Sequence, residues 1–315
     1  MSLKGDASET KIRQLEARVA GLRKQVVYLQ DELHAARTAR AVKPPKPAPK
    51  IKRTGDIVRV IIPDSHGSSK DDAAIAAFLA DLKEINPDEV IMLGDHIDCG
   101  GFLAQHHTLG FVAETEYSYE EDIIATDWFI SQIQANAGNA KIEYIEGNHE
   151  LRIERWAVTE TLRNQRDAEM LRRAFAPQFV LKLKERGIPY FRQAEKYDGL
   201  PTPGTIKRGK CYFTHGFSTA KHAAAAHLAR VGGNIVYGHT HRADTYVTTL
   251  VNVGTIGAYN PGALCRLQPM WMHTSPTGWT HGYGVQLVDR ISGNFLHLNI
   301  PIAEGNSLLR PLLSK

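Results

Sequence analysis

Gly238-His239-Thr240-His241 follows a short apolar run, Ile235-Val236-Tyr237, and puts two imidazoles two residues apart on a tight turn. Alone it is a weak metal motif. Four upstream stretches share its character: Asp64-Ser65-His66, Gly94-Asp95-His96-Ile97-Asp98, Gly147-Asn148-His149-Glu150 and Thr214-His215-Gly216. Each sits where a short apolar strand is expected to end. In open α/β sheets the carboxyl ends of the strands gather in one crevice, and ligands bind there. Asp64, Asp95, Asn148, His215 and His239 are therefore expected to converge although they lie far apart in sequence. The glycines beside them allow sharp turns and close backbone approach.

The residue types narrow the chemistry. The set holds two Asp, one Asn and four His, with no Cys. Oxygen and imidazole without thiolate suit a catalytic, partly open site for Mn, Fe, Zn or Ni rather than a closed structural zinc site. Seven side chains are too many for one ion, and two ions sharing one carboxylate fit the count. Such ions sit roughly 3.5–4 Å apart and suit in-line displacement at phosphorus, with a water acidified between them as nucleophile. Each piece is weak by itself: a lone DxH is often a turn, and a lone Thr-His-Gly is more often structural. Five in order, each at a strand end, are not a coincidence.

The segments between the motifs give the fold class. Strands are expected over 57–63, 89–93 and 141–146, with helices over 71–85 and 119–135. That alternation means βαβ units and a largely parallel sheet. Residues 150–204 read as a helical insert; 150–200 carry 11 Lys/Arg and the aromatics Trp156, Phe175, Phe179, Tyr190, Phe191 and Tyr197. A strand over 210–214, an Ala-rich helix over 219–231 and a strand over 235–237 follow. Strands over 245–253, 283–288 and 295–300 then suggest a second, mixed or antiparallel sheet.

Two segments precede this catalytic domain, which is expected over 56–315. Residues 1–42 carry a heptad, with Ile12, Val19, Val26 and Leu33 on one position and Leu15, Leu22, Leu29 and Ala36 on the other. Four heptads with β-branched residues mostly at a and Leu at d favour a parallel dimeric coiled coil. A single amphipathic helix lying on the domain is the alternative. Residues 43–55 read as an extended Pro/Lys-rich linker. Residues 1–55 hold 13 Lys/Arg and 5 Asp/Glu, against 25 and 29 in the rest, so the net charge of +4 hides a basic arm on an acidic domain. A basic arm suits a polyanionic partner. No apolar run approaches the roughly 20 residues needed to span a bilayer, and the polar N-terminus does not read as a secretory signal. Three unpaired cysteines suit a reducing cytoplasm.

Taken together, Asp64-x-His66, Gly94-Asp95-x-x-Asp98, Gly147-Asn148-His149-Glu150, His215 and Gly238-His239-x-His241 resemble the motif set of the calcineurin-like metallophosphoesterase superfamily, over about residues 56–300. Asn260-Pro261-Gly262 resembles a turn common in that family. The resemblance implies a four-layer α/β/β/α sandwich and two divalent metal ions, with Mn expected. Asp64, His66 and His241 would hold one ion, Asn148, His215 and His239 the other, and Asp95 would bridge them. His149 would protonate the leaving oxygen, with Asp98 orienting it.

The serine/threonine protein phosphatases of that superfamily carry an Arg directly after the second Asp of GDxxD; here Cys99 stands there. Arg152 or Arg155 would have to supply a phosphate clamp, and His106 and His107 lie in a loop expected to overhang the site. The expected activity is phosphodiester hydrolysis in nucleic acid, DNA foremost, similar to the nuclease branch of the family. A phosphomonoesterase or small-molecule phosphodiesterase is the alternative, and a non-catalytic binding module a third.

Overall fold

A computed structural model describes residues 18–19, 56–99, 118–161, 170, 173–200, 202–269 and 276–309. Arg18 and Val19 are helical. The rest of the heptad segment, the linker, and the loop with His106 and His107 lie outside the described residues.

The domain begins with β1 (Ile57–Ile62), α1 (Asp72–Ile85), β2 (Glu89–Met92), α2 (Tyr119–Asn136) and β3 (Lys141–Ile145). Then come α3 (Asn148–Thr161), a four-residue α4 (Pro177–Val180) and a two-residue β4 (Tyr190–Phe191). The second half holds β5 (Thr205–Arg208), β6 (Cys211–Thr214), α5 (Ala223–Val231), β7 (Asn234–Tyr237), β8 (Ala243–Leu250) and β9 (Gly254–Pro261). β10 (Gly282–Val288), β11 (Phe295–Ala303) and β12 (Asn306–Ser307) close it.

These strands make two sheets. The first is ordered β12-β11-β10-β1-β2-β3-β4 and the second β5-β6-β7-β9-β8. β1, β2, β3 and β4 run parallel, while β10 is antiparallel to β1. In the second sheet β6, β7 and β9 run parallel, and β5 and β8 flank them antiparallel.

Three apolar clusters fill three interlayer spaces. Val58, Val60 and Ile62 of β1 pack with Ile75, Phe78 and Leu82 of α1 and with Phe129 and Ile133 of α2. Ile61, on the opposite face of β1, meets Ile91, Leu93, Ile145, Ile206, Phe213 and Val236 between the sheets. Ala224 and Leu228 of α5 close on Ile235, Tyr237 and Ala258. Helix, sheet, sheet, helix is the four-layer order expected from the resemblance. Each of the Val, Leu, Ile and Phe side chains among them contributes about 1.5–3 kcal/mol by leaving water. Arg59 enters the inter-sheet layer only because Glu89 and Gln286 accept from it, each at 2.8 Å.

Sequence periodicity placed β1, β2, β3, β6, β7, β10, β11, α1 and α2 within a few residues, but β10 and β11 extend the first sheet beside β1 instead of joining the second. It missed β9, whose residues 254–261 include two glycines and end in Asn-Pro, and so read as turn rather than strand. The expected helical insert is helical in α3 and α4, but it also supplies β4, the edge strand beside β3.

Candidate metal centre

The five motifs do meet, at the carboxyl ends of β1, β2, β3, β6 and β7. Gly147-Asn148-His149-Glu150 is not a free turn there, because Asn148 opens α3. His66, Asp95, His239 and His241 all sit at positive φ, at 51°, 50°, 69° and 55°. Non-glycine residues rarely adopt that conformation, and such strain concentrates at functional sites. Gly238 permits a close approach: a Cβ there would lie 2.5 Å from Asp64 Oδ2.

Two clusters of donor atoms result. In one, His66 Nε2 lies 3.1 Å from His241 Nε2, which lies 3.2 Å from Asp64 Oδ1. In the other, His215 Nε2 lies 2.9 Å from Asn148 Oδ1, 3.1 Å from His239 Nδ1 and 3.1 Å from Asp95 Oδ2. Asp95 also groups with His66 and His149 within 4.8 Å, so it stands between the two clusters. Ligand bonds of about 2.0–2.2 Å place neighbouring donors about 3 Å apart, so the donor set fits two cations. The far ring nitrogens are already engaged: His66 Nδ1 meets Asp98 Oδ1 at 2.8 Å, and His215 Nδ1 meets the Leu93 carbonyl at 3.0 Å. Such partners fix the tautomer that leaves Nε2 free to bind.

The electrostatics suit this. Burial alone would raise Asp64, but His241 and His215 hold it down at about 2. Burial works the same way on Asp95, and His149 and His215 hold it well below the carboxylate range. Burial, with His215 beside it, lowers His239 to about 4. Against burial, Asp95 and Asp64 hold His215 up at about 9. A cation bound there releases that proton.

The turns themselves are held by a carboxylate whose part the motif reading left unassigned. Glu150, fully buried, accepts from the backbone N–H of Asp95 at 2.9 Å, His96 at 2.7 Å and Gly147 at 3.0 Å. Tyr144 Oη donates to it as well, at 2.6 Å. In the second sheet Asn260 Nδ2 donates to the Gly238 carbonyl at 2.8 Å and to Thr240 Oγ1 at 3.0 Å. Trp279 meets His241 edge to face, with centroids 4.1 Å apart. No spacing rule points to Trp279.

A family model of the calcineurin-like phosphoesterase superfamily domain matches residues 58–272, about two thirds of the chain. The chain belongs to that superfamily. Among solved structures it is similar to vacuolar protein sorting 29 from Cryptosporidium parvum, at 10% identity over 80% of this chain and 95% of that one, with a TM-score of 0.39. It is also similar to YfcE, a phosphoesterase from E. coli, at 14% identity over 77% of this chain and 99% of that one, with a TM-score of 0.34. No curated protein matches the chain.

Superfamily members are metal-dependent phosphoesterases, and two residues outside the donor clusters bear on that chemistry. His149 Nδ1 hydrogen-bonds the Asp98 carbonyl, while its Nε2 lies 3.7 Å from Asp95 Oδ2. Burial would lower its pKa, but Asp95 and Asp98 raise it above the usual histidine value. Arg152 Nη1 lies 3.1 Å from His149 Nδ1, at the rim of the centre. Arg155, further along α3, is exposed. Among the described residues no helix is long and apolar enough to cross a membrane.

Proposed function

We propose that this protein is a dinuclear metal-dependent phosphodiesterase whose substrate is nucleic acid, DNA foremost. The observation that carries the reading is the approach of seven donors from five strand ends into two adjoining clusters, with Asp95 between them. Asp64, His66 and His241 would hold one cation and Asn148, His215 and His239 the other, with Asp95 shared between them. When bound, the pair supplies Lewis acidity toward a phosphoryl oxygen and toward a water in line with the leaving group.

The chain's own residues do the rest. His149 carries its Nδ1 proton to the Asp98 carbonyl, which leaves Nε2–H to protonate the departing oxygen. Asp98, with its carboxylate 3.4 Å from the same ring, keeps His149 cationic until then. Arg152 supplies charge at the rim where a phosphate enters. Cys99, where the protein phosphatases carry a clamping Arg, argues against phosphoprotein substrates.

The net charge of the first 55 residues favours a polyanion, and the heptad would pair two catalytic domains on one polymer. Mn and a reducing cytoplasm complete this reading. Labelled single- and double-stranded DNA with Mn²⁺, across a salt series, tests it, alongside bis-p-nitrophenyl phosphate and its monoester. Cleavage that weakens steeply with salt is expected. Intact DNA with turnover of small esters would leave a small-molecule phosphoesterase instead.

A further inference from the structure

Five consecutive backbone amides of one turn, those of Asp95 through Cys99, donate to only two side chains, and both are buried carboxylates. Glu150 takes Asp95, His96 and Ile97, the last at 3.3 Å. Asp122, in the first turn of α2, takes Asp98 at 2.8 Å and Cys99 at 2.9 Å through Oδ2. Through Oδ1 it also takes Ser68 N at 3.0 Å, just past His66. Asp122 is fully buried. Gly67 leaves it room: at φ 47°, a Cβ there would stand 1.8 Å from Asp122 Oδ1.

The turn's carbonyls face the other way. Asp95 O accepts from Ser65 N and His66 N, His96 O from Gly67 N and Thr126 Oγ1, and Asp98 O takes His149 Nδ1. The peptide that gives its N–H to Asp122 begins the residue whose carbonyl and carboxylate hold His149. Asp98 Oδ1 also holds His66, at 2.8 Å.

We infer that Asp122 is a positioning residue for the reaction: by fixing the Asp98–Cys99 backbone it aims Nε2 of His149 at the leaving oxygen. Asp122 lies outside every motif, and it acts from a helix that brings no donor to the centre. The inference rests on the phosphoesterase reading, with His149 as its acid. Hydrogen bonds of this kind to a carboxylate are strong, and Asp122→Asn breaks the set with little change in shape. The amide keeps one oxygen for Asp98 and Cys99 but turns an N–H donor on Ser68 N, which itself donates.

The test is a pair of thymidine 5′-aryl phosphodiesters that differ only in the leaving phenol, one nitrophenyl and one unsubstituted phenyl. A nitrophenolate departs without a proton, whereas the phenyl ester needs one. With Mn²⁺ saturating, Asp122→Asn should lose roughly 10- to 100-fold in kcat on the phenyl ester. On the nitrophenyl ester it should lose several-fold at most, with KM little changed on both. His149→Ala, as reference, should show the same bias more strongly. Equal losses of Asp122→Asn on both esters, with His149→Ala still biased, would overturn the positioning role and leave a structural one. An unbiased His149→Ala would remove the acid itself, and the inference with it. If Asp122→Asn does not fold, Asp122→Glu, which moves the carboxylate by one methylene, is read by the same ratio.

Discussion

The two sheets bring their residues to the centre by different means. On the first sheet, the turns bearing Asp95, Asp98 and Asn148 hang from buried anions: Glu150 and Asp122 take the main-chain amides, and Tyr144 closes the network. On the second sheet, Gly238 N donates to the His215 carbonyl at 2.7 Å, and neutral Asn260 ties Gly238 to Thr240. A carboxylate also reaches it from the first sheet, where Asp64 accepts His239 N at 3.0 and 3.1 Å. A buried carboxylate that takes several amides gains charge-assisted hydrogen bonds and loses hydration. The first sheet's turns are thus held by charge and the second's largely by neutral groups, and changes that remove charge should separate them.

Both halves must supply donors, so loss from either should be equally severe. Asp95→Ala and His215→Ala should each lower turnover by about a thousandfold or more, since each removes several kcal/mol of charge stabilisation. Activity with bis-p-nitrophenyl phosphate and bound metal per chain, by elemental analysis, check this. Full activity in either variant would undo the site.

The supports should then diverge. Glu150→Gln removes the charge that three amides of the Asp95 turn face, so metal affinity and turnover should fall roughly 10- to 100-fold. Asn260→Ala leaves the neutral Gly238 carbonyl and the Thr240 hydroxyl to other partners or water. It should cost about 1–3 kcal/mol of stability, with a smaller effect on turnover. Calorimetric Mn²⁺ titration and thermal unfolding of both variants measure the contrast. A larger metal defect in Asn260→Ala would reverse the comparison.

What the chain announces, and what it hides, follows the same division. The donors were legible because glycine, histidine and aspartate at strand ends have few purely structural uses together. The core strands were legible because Val, Ile and Met on β1 and β2 face apolar layers on both sides. Asp122 was not, since an acidic residue in a helix's first turn, beside Glu120 and Glu121, needs no more explanation than the helix dipole. Its partners lie on turns 23 to 54 residues away in sequence. Asn260 shows in the sequence only through its Asn-Pro-Gly turn, yet what it holds lies 20 and 22 residues back, across the sheet from β9.

The smallest effect should appear in the pH dependence of stability, and only on the first sheet. Glu146 follows β3, just before the Asn148 turn, and accepts from Tyr190 Oη at 3.0 Å and from Gln193 N at 2.7 Å. Burial, helped by the nearby Glu154 carboxylate, pushes it from 4.5 up to about 7. An acid whose pKa is raised on folding makes the native state bind more protons than the unfolded one between those two values. Stability therefore falls as pH rises through that window, and the full cost is present above about pH 7. Glu146→Gln keeps an oxygen for Gln193 N, lets the Tyr190 hydroxyl turn to accept from the amide N–H, and cannot ionise. It should unfold at a higher temperature than the wild type at pH 8 and at a similar one near pH 4, a gap on the order of 1–3 kcal/mol. Thermal unfolding of both proteins across pH 4–8 measures that gap. A gap that stays constant with pH would mean that Glu146 is no more costly buried than free, and that the charge held under the first sheet is confined to Glu150 and Asp122.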